Sequence, residues 1–189
     1  MTKGGDERNG LAYAIDPRTQ LKELLAALPQ RIRTRTPREV VIELITHLER
    51  NHLFPHAHYA FAEKLFIPRL IRMIETFGKH WVGPLPDEVL IQWEGPWWKI
   101  KKVADQLRHD SPQSFREAII QSADGTSQAW YIFTRSVRLD DYGRKRIVIA
   151  YDTSDLSGPP LYLFTDARYW EGSRIVQMWQ YRWDEQLFV

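Results

Sequence analysis

The feature that most constrains the fold is a run of five segments rich in β-branched and aromatic residues, separated by turn signals. The segments read VLIQW, WWKI, AWYIFTRSVRL, RKRIVIAYDT and PLYLFT. The turns fall at Gly95–Pro96, Asp124–Gly125, Asp141–Gly143 and Gly158–Pro160. Such segments, bounded by Gly, Pro and Asp, are typical of strands. Residues 87–165 are therefore predicted to form a β-rich region, interrupted by one short helix in KKVADQLRH.

A strand–helix–strand pattern precedes this region. The segment His56–Ala62 is a candidate strand, a helix is expected over Pro68–Phe77 with Gly78 as its stop, and KHWVGPL is a second candidate strand. Two strands linked by a helix through short connections are typical of a parallel crossover unit. Because the composition changes at Asp87, the later strands are expected to pair mostly with one another, as a separate β-rich unit.

Helix signals stand on both sides of these strands. Thr36, Pro37 and Glu39 supply a cap, a first-turn proline and a capping-box carboxylate for a helix expected over Pro37–Asn51. Near the other end of the chain, apolar residues recur at every fourth position and predict one buried helical stripe. They are Ile175, Trp179, Trp183 and Leu187. This closing helix is expected to begin near Trp170, and no capping residue follows it.

The composition excludes several classes of site. The 189 residues include no cysteine, which rules out a disulfide framework, thiolate catalysis and a cysteine-ligated zinc. The apolar runs are too short for a membrane span and no secretory signal opens the chain, so we expect a cytoplasmic protein with no membrane partner. The formal net charge is only +2, so contact with nucleic acid has to come from local basic clusters.

Three basic clusters are candidates for such contact, and each can equally be a solvated face of a loop or helix. They are Arg31, Arg33, Arg35 and Arg38; Lys99, Lys101 and Lys102; and Arg144, Lys145 and Arg146. The lysine cluster follows Trp97 and Trp98, which with Trp93 form either a stacking and phosphate-binding surface or the core of a small β domain. Both interpretations stay open from the sequence.

Histidine and aspartate clusters have a superficial metal-ligand spacing. For His52, His56 and His58, no fourth ligand stands nearby in the sequence. The pairs Asp140–Asp141 and Asp152–Asp155 adjoin Gly or Pro, a context in which Asp hydrogen-bonds the backbone of its own turn. We therefore predict no metal site in this chain.

Two stretches, GKHWVGPL (Gly78–Leu85) and PLYLFTDARYWEGSRIVQMWQYRW (Pro160–Trp183), resemble bacterial insertion-sequence transposases of the DDE type. The resemblance covers residues 34–189 and implies an α/β fold, with a partial ribonuclease-H-like core interrupted by a β-rich insertion. It implies four segments: an N-terminal tail and lead-in over 1–33, the partial core over 34–86, the insertion over 87–165 and the closing helix of the core over 166–189. In intact relatives the implied activity is Mg²⁺-dependent DNA cleavage and strand transfer.

The chemistry of that family requires two Asp and one Glu, which hold two divalent metal ions about 3.5–4 Å apart. Matched to the family's motifs, Ala62 takes the position of the second Asp and Gln186 takes that of the Glu. Glu185 is a candidate substitute only if the helix end rewinds, because one residue turns a side chain by about 100°. The strand that carries the first Asp is expected to be missing. The resemblance thus implies a fragment, truncated at both ends, that is catalytically inactive and holds no cofactor.

The resemblance also implies transposon-end DNA as the partner. The residues expected to contact it are Arg182, Trp179, Lys99, Lys101, Lys102, Arg33 and Arg35. Arg182 can equally form a structural ion pair. Self-association is a further expectation, because missing neighbours leave an unpaired strand edge. The alternatives are a DNA-binding remnant without catalysis, a partner of an intact transposase, and a pseudogene product without function.

Overall fold

The computed structural model describes residues 36–61, 68–121 and 125–180, which contain four helices and eight strands. The helices are α1 (Pro37–Arg50), α2 (Pro68–Thr76), α3 (Ile100–Asp110) and α4 (Gly172–Gln180), and a short 3₁₀ turn covers Pro112–Ser114. The strands are β1 (Tyr59–Ala60), β2 (Trp81–Pro84), β3 (Leu90–Gln92), β4 (Trp97–Lys99), β5 (Arg116–Gln121), β6 (Ser127–Leu139), β7 (Gly143–Tyr151) and β8 (Leu161–Thr165).

The chain divides into two units, Met1–Leu44 and Ile45–Val189. No helix among the described residues combines the length and the apolar character that crossing a membrane requires.

The start of α1 is a capping box, as the sequence predicts. The Thr36 backbone N–H and hydroxyl both donate to Glu39 Oε2, at 3.0 Å each, and the Glu39 N–H lies 3.4 Å from Thr36 Oγ1. These contacts satisfy backbone donors that the first turn of a helix leaves without partners. The helix therefore begins at Pro37, where φ is already fixed near its helical value.

The eight strands form one sheet in the order β1-β2-β8-β7-β6-β3-β4, with β5 also paired to β6. Strand β1 runs parallel to β2, with Tyr59 opposite Trp81, and α2 lies between them in the chain. This confirms the predicted crossover unit, because a parallel pair needs such a connection. All other neighbours are antiparallel, and the longest ladder joins β6 to β7.

The expectation that the β-rich region pairs apart from the crossover unit is wrong. Strand β8 pairs with β7 on one side and with β2 on the other, where Val82 lies opposite Thr165. One ladder thus continues from the crossover pair into the later strands. The composition changes at residue 87, but the sheet is continuous across that boundary, because β8 pairs with the edge of β2 that β1 leaves open.

Both faces of the sheet are covered. On one face, Val82, Val148 and Leu163 join a buried cluster with Ile175 and Val176 of α4. On the other face, Trp81 packs edge-on against Phe164, with ring centroids 5.0 Å apart, and its indole N–H donates to Glu75 of α2. Directly opposed residues of antiparallel strands share a face, so alternate side chains of β2, β7 and β8 pack on opposite faces of the sheet.

Several boundaries differ from those predicted. Strand β1 has two residues rather than the whole of His56–Ala62, α4 begins at Gly172 rather than near Trp170, and β5 was not expected. Whether the closing helix continues beyond Gln180 lies outside the described residues.

Candidate nucleic-acid interface

The hairpin of β6 and β7 carries a groove of about 660 Å³ lined by arginines. Its walls include Arg135, Arg138 and Arg144, with Ser136 of β6 and Gln92 of β3 between them. The turn that joins the two strands ends at Gly143, whose φ of +67° is a left-handed value that glycine adopts without strain. That turn sets the register in which Arg138 lies directly opposite Arg144.

Arg138 and Arg144 are cross-strand neighbours of like charge. Residues in directly opposed positions have Cβ atoms about 4.5–5.5 Å apart, and like charges there destabilise the sheet. Both side chains are exposed. Across the described ranges, neither guanidinium forms an ion pair or donates a side-chain hydrogen bond. Two uncompensated guanidinium groups at this spacing are suited to bind an anion, and Arg presents paired donors to phosphate oxygens.

Arg135 also lines the groove, but it is three positions from Arg138 along β6, and its side chain therefore points to the other face of the sheet. Its guanidinium carbon lies 4.5 Å from the centroid of Trp93, and its Nη1 lies 3.7 Å from Glu94 Oε1. Trp93 is only 6% exposed, so the ring that supports Arg135 belongs to the core. The cation–π contact holds the guanidinium at the surface, and Glu94, which also lines the groove, partly offsets its charge.

The predicted lysine cluster lies on β4 and the first turn of α3. Lys102 Nζ lies 4.2 Å above the ring of Trp98, and Trp97 is 44% exposed. Lys99 pairs with Glu88, which lowers the pKa of the Glu88 carboxyl and raises that of Lys99. Trp93 is therefore a core residue, whereas Trp97 and Trp98 are accessible and can belong to a stacking surface.

The three residues of the third basic cluster, Arg144 to Arg146, make different contacts along β7. Only Arg144 faces the groove, whereas Lys145 Nζ pairs with Glu75 Oε1 at 2.6 Å on the α2 side. Arg146 donates to the carbonyl of Arg168 at 3.1 Å. Successive side chains on a strand point to opposite faces, so Lys145 is separated from Arg144 and Arg146, which share a face.

Several predicted site residues fall outside the described ranges. They are Ala62, Glu185, Gln186, Arg182, Arg33 and Arg35. Trp179 is described: it is 6% exposed and belongs to the buried cluster between α4 and the sheet. That position suits a packing role for its indole.

A second cluster gathers around Asp166, which follows β8. Its Oδ2 accepts from His80 Nδ1 at 2.8 Å, and its Oδ1 accepts from the Trp81 N–H at 3.1 Å. Because β2 is antiparallel to β8, the residue before β2 meets the residue after β8. Because β1 is parallel to β2 in the register Tyr59–Trp81, the residue before β1, His58, falls beside His80.

The two imidazoles of this cluster have defined tautomers when neutral. His80 donates from Nδ1 to the Asp166 carboxylate, and the His80 backbone N–H lies 3.3 Å from His58 Nδ1, which therefore accepts. Trp170 stands nearly perpendicular to both rings, with centroids 4.9 Å from His58 and 5.3 Å from His80. The guanidinium carbon of Arg174 lies over the Trp170 ring, 4.4 Å from its centroid.

Electrostatics at His58 favour its neutral form. Burial is the largest cause that lowers the pKa of His58, followed by the positive charges of His80, Arg174 and Lys79, while Asp166 acts in the opposite direction.

Lys79, the residue before His80, contacts the loop that precedes His58. Its ammonium donates to the carbonyls of Phe54 and Pro55, at 2.9 and 2.6 Å, and lies 3.6 Å from Glu49 Oε2. The Tyr59 hydroxyl donates to the same carboxylate, and burial together with Glu49 raises the pKa of Tyr59. Buried charges need such partners, so this network orders the segment that leads to His58.

The aspartates predicted to serve turns include one with a clear backbone contact. Asp155 Oδ1 accepts from the Ser157 N–H at 3.1 Å, and hydrogen bonds with Ser157 lower the pKa of Asp155. In the part of the chain that the structure describes, no group of three or more His, Cys, Asp or Glu residues is arranged to hold a metal ion.

Sequence reasoning missed Arg135, Arg138, His80 and Asp166. Arg135 and Arg138 stand apart from the three basic runs, and only the pairing of β6 with β7 brings Arg138 to Arg144. His80 and Asp166 are 86 residues apart. The available signal was the position of each at the end of a predicted strand, where polar side chains of a sheet come together.

No model of a known protein family matches the chain, and no curated protein matches it.

Proposed function

We propose that this chain is a non-catalytic DNA-binding protein of the DDE-transposase type, and that the groove lined by Arg135, Arg138 and Arg144 binds the phosphate backbone. The observation that carries the proposal is that Arg138 and Arg144 lie directly opposite each other and that neither forms an ion pair with any residue that the structure describes. A chain with a formal charge of only +2 gains little from bulk attraction to DNA, so a local cluster has to supply the contact.

Accessible aromatic and basic groups add to this interface. Trp97 and the Trp98–Lys102 pair offer a ring face and an ammonium on one hairpin and helix start. Bases stack on exposed indoles without much sequence preference, and lysine contributes a point charge to phosphate. This surface contains Lys101 and Lys102, two of the lysines that the resemblance selects, and neither forms an ion pair among the described residues.

The transposase assignment is supported by topology as well as by motifs. A parallel strand pair with a crossover helix is the arrangement that a ribonuclease-H-like core requires of this segment. The buried Phe61 follows β1 directly, as the aromatic of the family's second motif should.

The DNA-binding proposal predicts a specific loss of salt dependence. Duplex affinity of the Arg138→Gln/Arg144→Gln double variant, measured by fluorescence anisotropy over a salt series, should fall relative to the unmodified protein. Each lost phosphate contact removes about 0.9 from the slope of log K against log salt, so the slope should decrease by about two. The matched control is Arg69→Gln/Arg72→Gln, which removes two exposed arginines of α2 outside the groove.

The control variant should keep the original slope. Equal slopes for both double variants would overturn the groove as the interface. Absence of salt-dependent binding by the unmodified protein would instead favour the alternative of a product without function.

The second half of the proposal, the absence of catalysis, has its own test. Two divalent metals cannot be neutralised by the methyl group of Ala62 and the amide of Gln186. Supercoiled plasmid incubated with the protein and Mg²⁺ or Mn²⁺ is therefore expected to stay intact. Cleavage that is lost in a Glu185→Ala variant would contradict this and would show that Glu185 serves as the metal ligand.

A further inference from the structure

The cluster of His58, His80 and Asp166 has a free hydrogen-bonding atom on each imidazole. Nδ1 of His80 is engaged by Asp166, and Nδ1 of His58 accepts from the His80 backbone N–H. Among the described residues no partner is found for either Nε2. The side chain of His80 is partly exposed and that of His58 is open to solvent, so both Nε2 atoms can be reached by a ligand.

The charges around these nitrogens select an anion over a cation. His58 is faced by His80 and Lys79, which precede β2, by Arg174 of α4 and by Asp166 after β8. Asp166 is the one carboxylate in that set, and both of its oxygens already accept hydrogen bonds. Lys79 is offset by Glu49, whereas Arg174 forms no ion pair with the described residues. A metal ion would find two nitrogen ligands beside a guanidinium, which is too few for a stable site.

We propose that His58, His80 and Arg174 form a binding site for a phosphate group, and that the site strengthens when the imidazoles are protonated. Asp166 accepts a hydrogen bond from Nδ1 of His80 and so orients the His80 ring, as a carboxylate does for a functional histidine. Trp170 contacts both parts of the site: the Arg174 guanidinium lies 4.4 Å from its ring centroid, and the His58 centroid lies 4.9 Å from it. The site shares no residue with the arginine groove and goes beyond the proposed function.

The pH dependence follows from the same contacts. The pKa of His58 is lowered in the free protein by burial and by its cationic neighbours, so the imidazole is mostly neutral at neutral pH. A bound anion offsets those cations and favours the imidazolium, which raises the pKa of His58. By linkage, anion affinity must increase as the pH falls through that pKa. The free protein, conversely, loses stability over the same fall in pH, because the folded state resists protonation at this position.

The test follows the imidazole signals of the whole ¹⁵N-labelled protein by NMR during pH titrations with inorganic phosphate, sulfate, or chloride at matched ionic strength. Phosphate and sulfate should raise the titration midpoint of His58 by about one pH unit, which corresponds to about tenfold tighter binding by the protonated form. Sulfate keeps its charge over this pH range, so it separates protein titration from ligand titration. His109, exposed near the end of α3, is the internal control and should not shift.

Further arms identify the ligand and the residues. Arg174→Gln should reduce the phosphate-induced shift, whereas Arg138→Gln/Arg144→Gln should leave it intact even if DNA binding fails. A short oligonucleotide with a 5′-phosphate that outperforms its 5′-hydroxyl counterpart would assign the site to a nucleic-acid end. An equal response of the two oligonucleotides, with a response to inorganic phosphate, would assign it to free phosphate.

Two outcomes would overturn the proposal. The first is that phosphate shifts the titration of His58 no more than that of His109. The second is engagement of both histidines by equimolar Zn²⁺ without any phosphate effect, which overturns it in favour of a metal.

Discussion

Gly172 sets how closely helix α4 can approach strand β6. A Cβ atom at this position would lie 2.6 Å from Ile132 Cγ2 and 3.4 Å from Thr134 Cγ2, and the first of these distances is too short for two carbon atoms. We expect Gly172→Ala to lower the free energy of unfolding by about 1–3 kcal/mol, the usual cost of overpacking a tight core. Urea denaturation followed by tryptophan fluorescence would measure the change.

Ser173→Ala is the matched control for that substitution. It changes the next residue of the same helix to alanine, at a half-buried position, and alanine is the better helix former there. The control should be neutral or slightly stabilising. If Gly172→Ala proved as stable as the unmodified protein, α4 would have to sit farther from β6 than the structure places it.

Residues that act through local contacts were predictable, and those that act across the sheet were not. Thr36 and Glu39 are three positions apart, so the capping box could be predicted from spacing alone. His80 and Asp166 meet only because β8 pairs antiparallel with β2, a partner choice that no local pattern reveals. The groove is similar: Arg138 and Arg144 become neighbours through the register of one hairpin.

At the scale of elements, strands with strong apolar alternation were predicted and weakly patterned ones were not. β6 and β7 are long and rich in β-branched residues, and the turn that joins them ends at Gly143. β5 reads REAIIQ, and Ile120 is its one buried residue, whereas Ile119 on the other face is 64% exposed. Burial of a single side chain leaves little periodicity to detect, so this strand is specified mainly by its ladder with β6.

The closing helix shows the same division between pattern and context. Its apolar stripe was predicted at Ile175 and Trp179, and both are buried against the sheet. Its start is expected near Trp170, two residues before the observed start at Gly172. Trp170 instead packs beside His58 and His80 in the loop before the helix, so a tertiary contact decides the boundary.

At the scale of the whole molecule, the continuous sheet implies that the described residues from 45 to 180 unfold as one cooperative unit. β7 is central: it pairs with β6 and β8, and Ile147, Val148 and Ile149 are fully buried. β8 in turn holds β2, so separating the crossover pair from the later strands would expose a ladder and both apolar faces. Small units of this kind usually unfold in one step.

The cooperative-sheet prediction has two measurable parts. Denaturant curves from circular dichroism and from tryptophan fluorescence should coincide, because the buried indoles and the ladders report one transition. In native-state hydrogen exchange, amides of Ile147, Val148 and Ile149 should exchange only through global unfolding, whereas those of the short strands β1 and β4 open earlier. Two separated transitions, with β3 to β7 protected after β1 and β2 have opened fully, would contradict the prediction. That result would mean that the β2–β8 ladder contributes too little to couple the two regions, and the later strands would then form an independent folding unit despite their place in the same sheet.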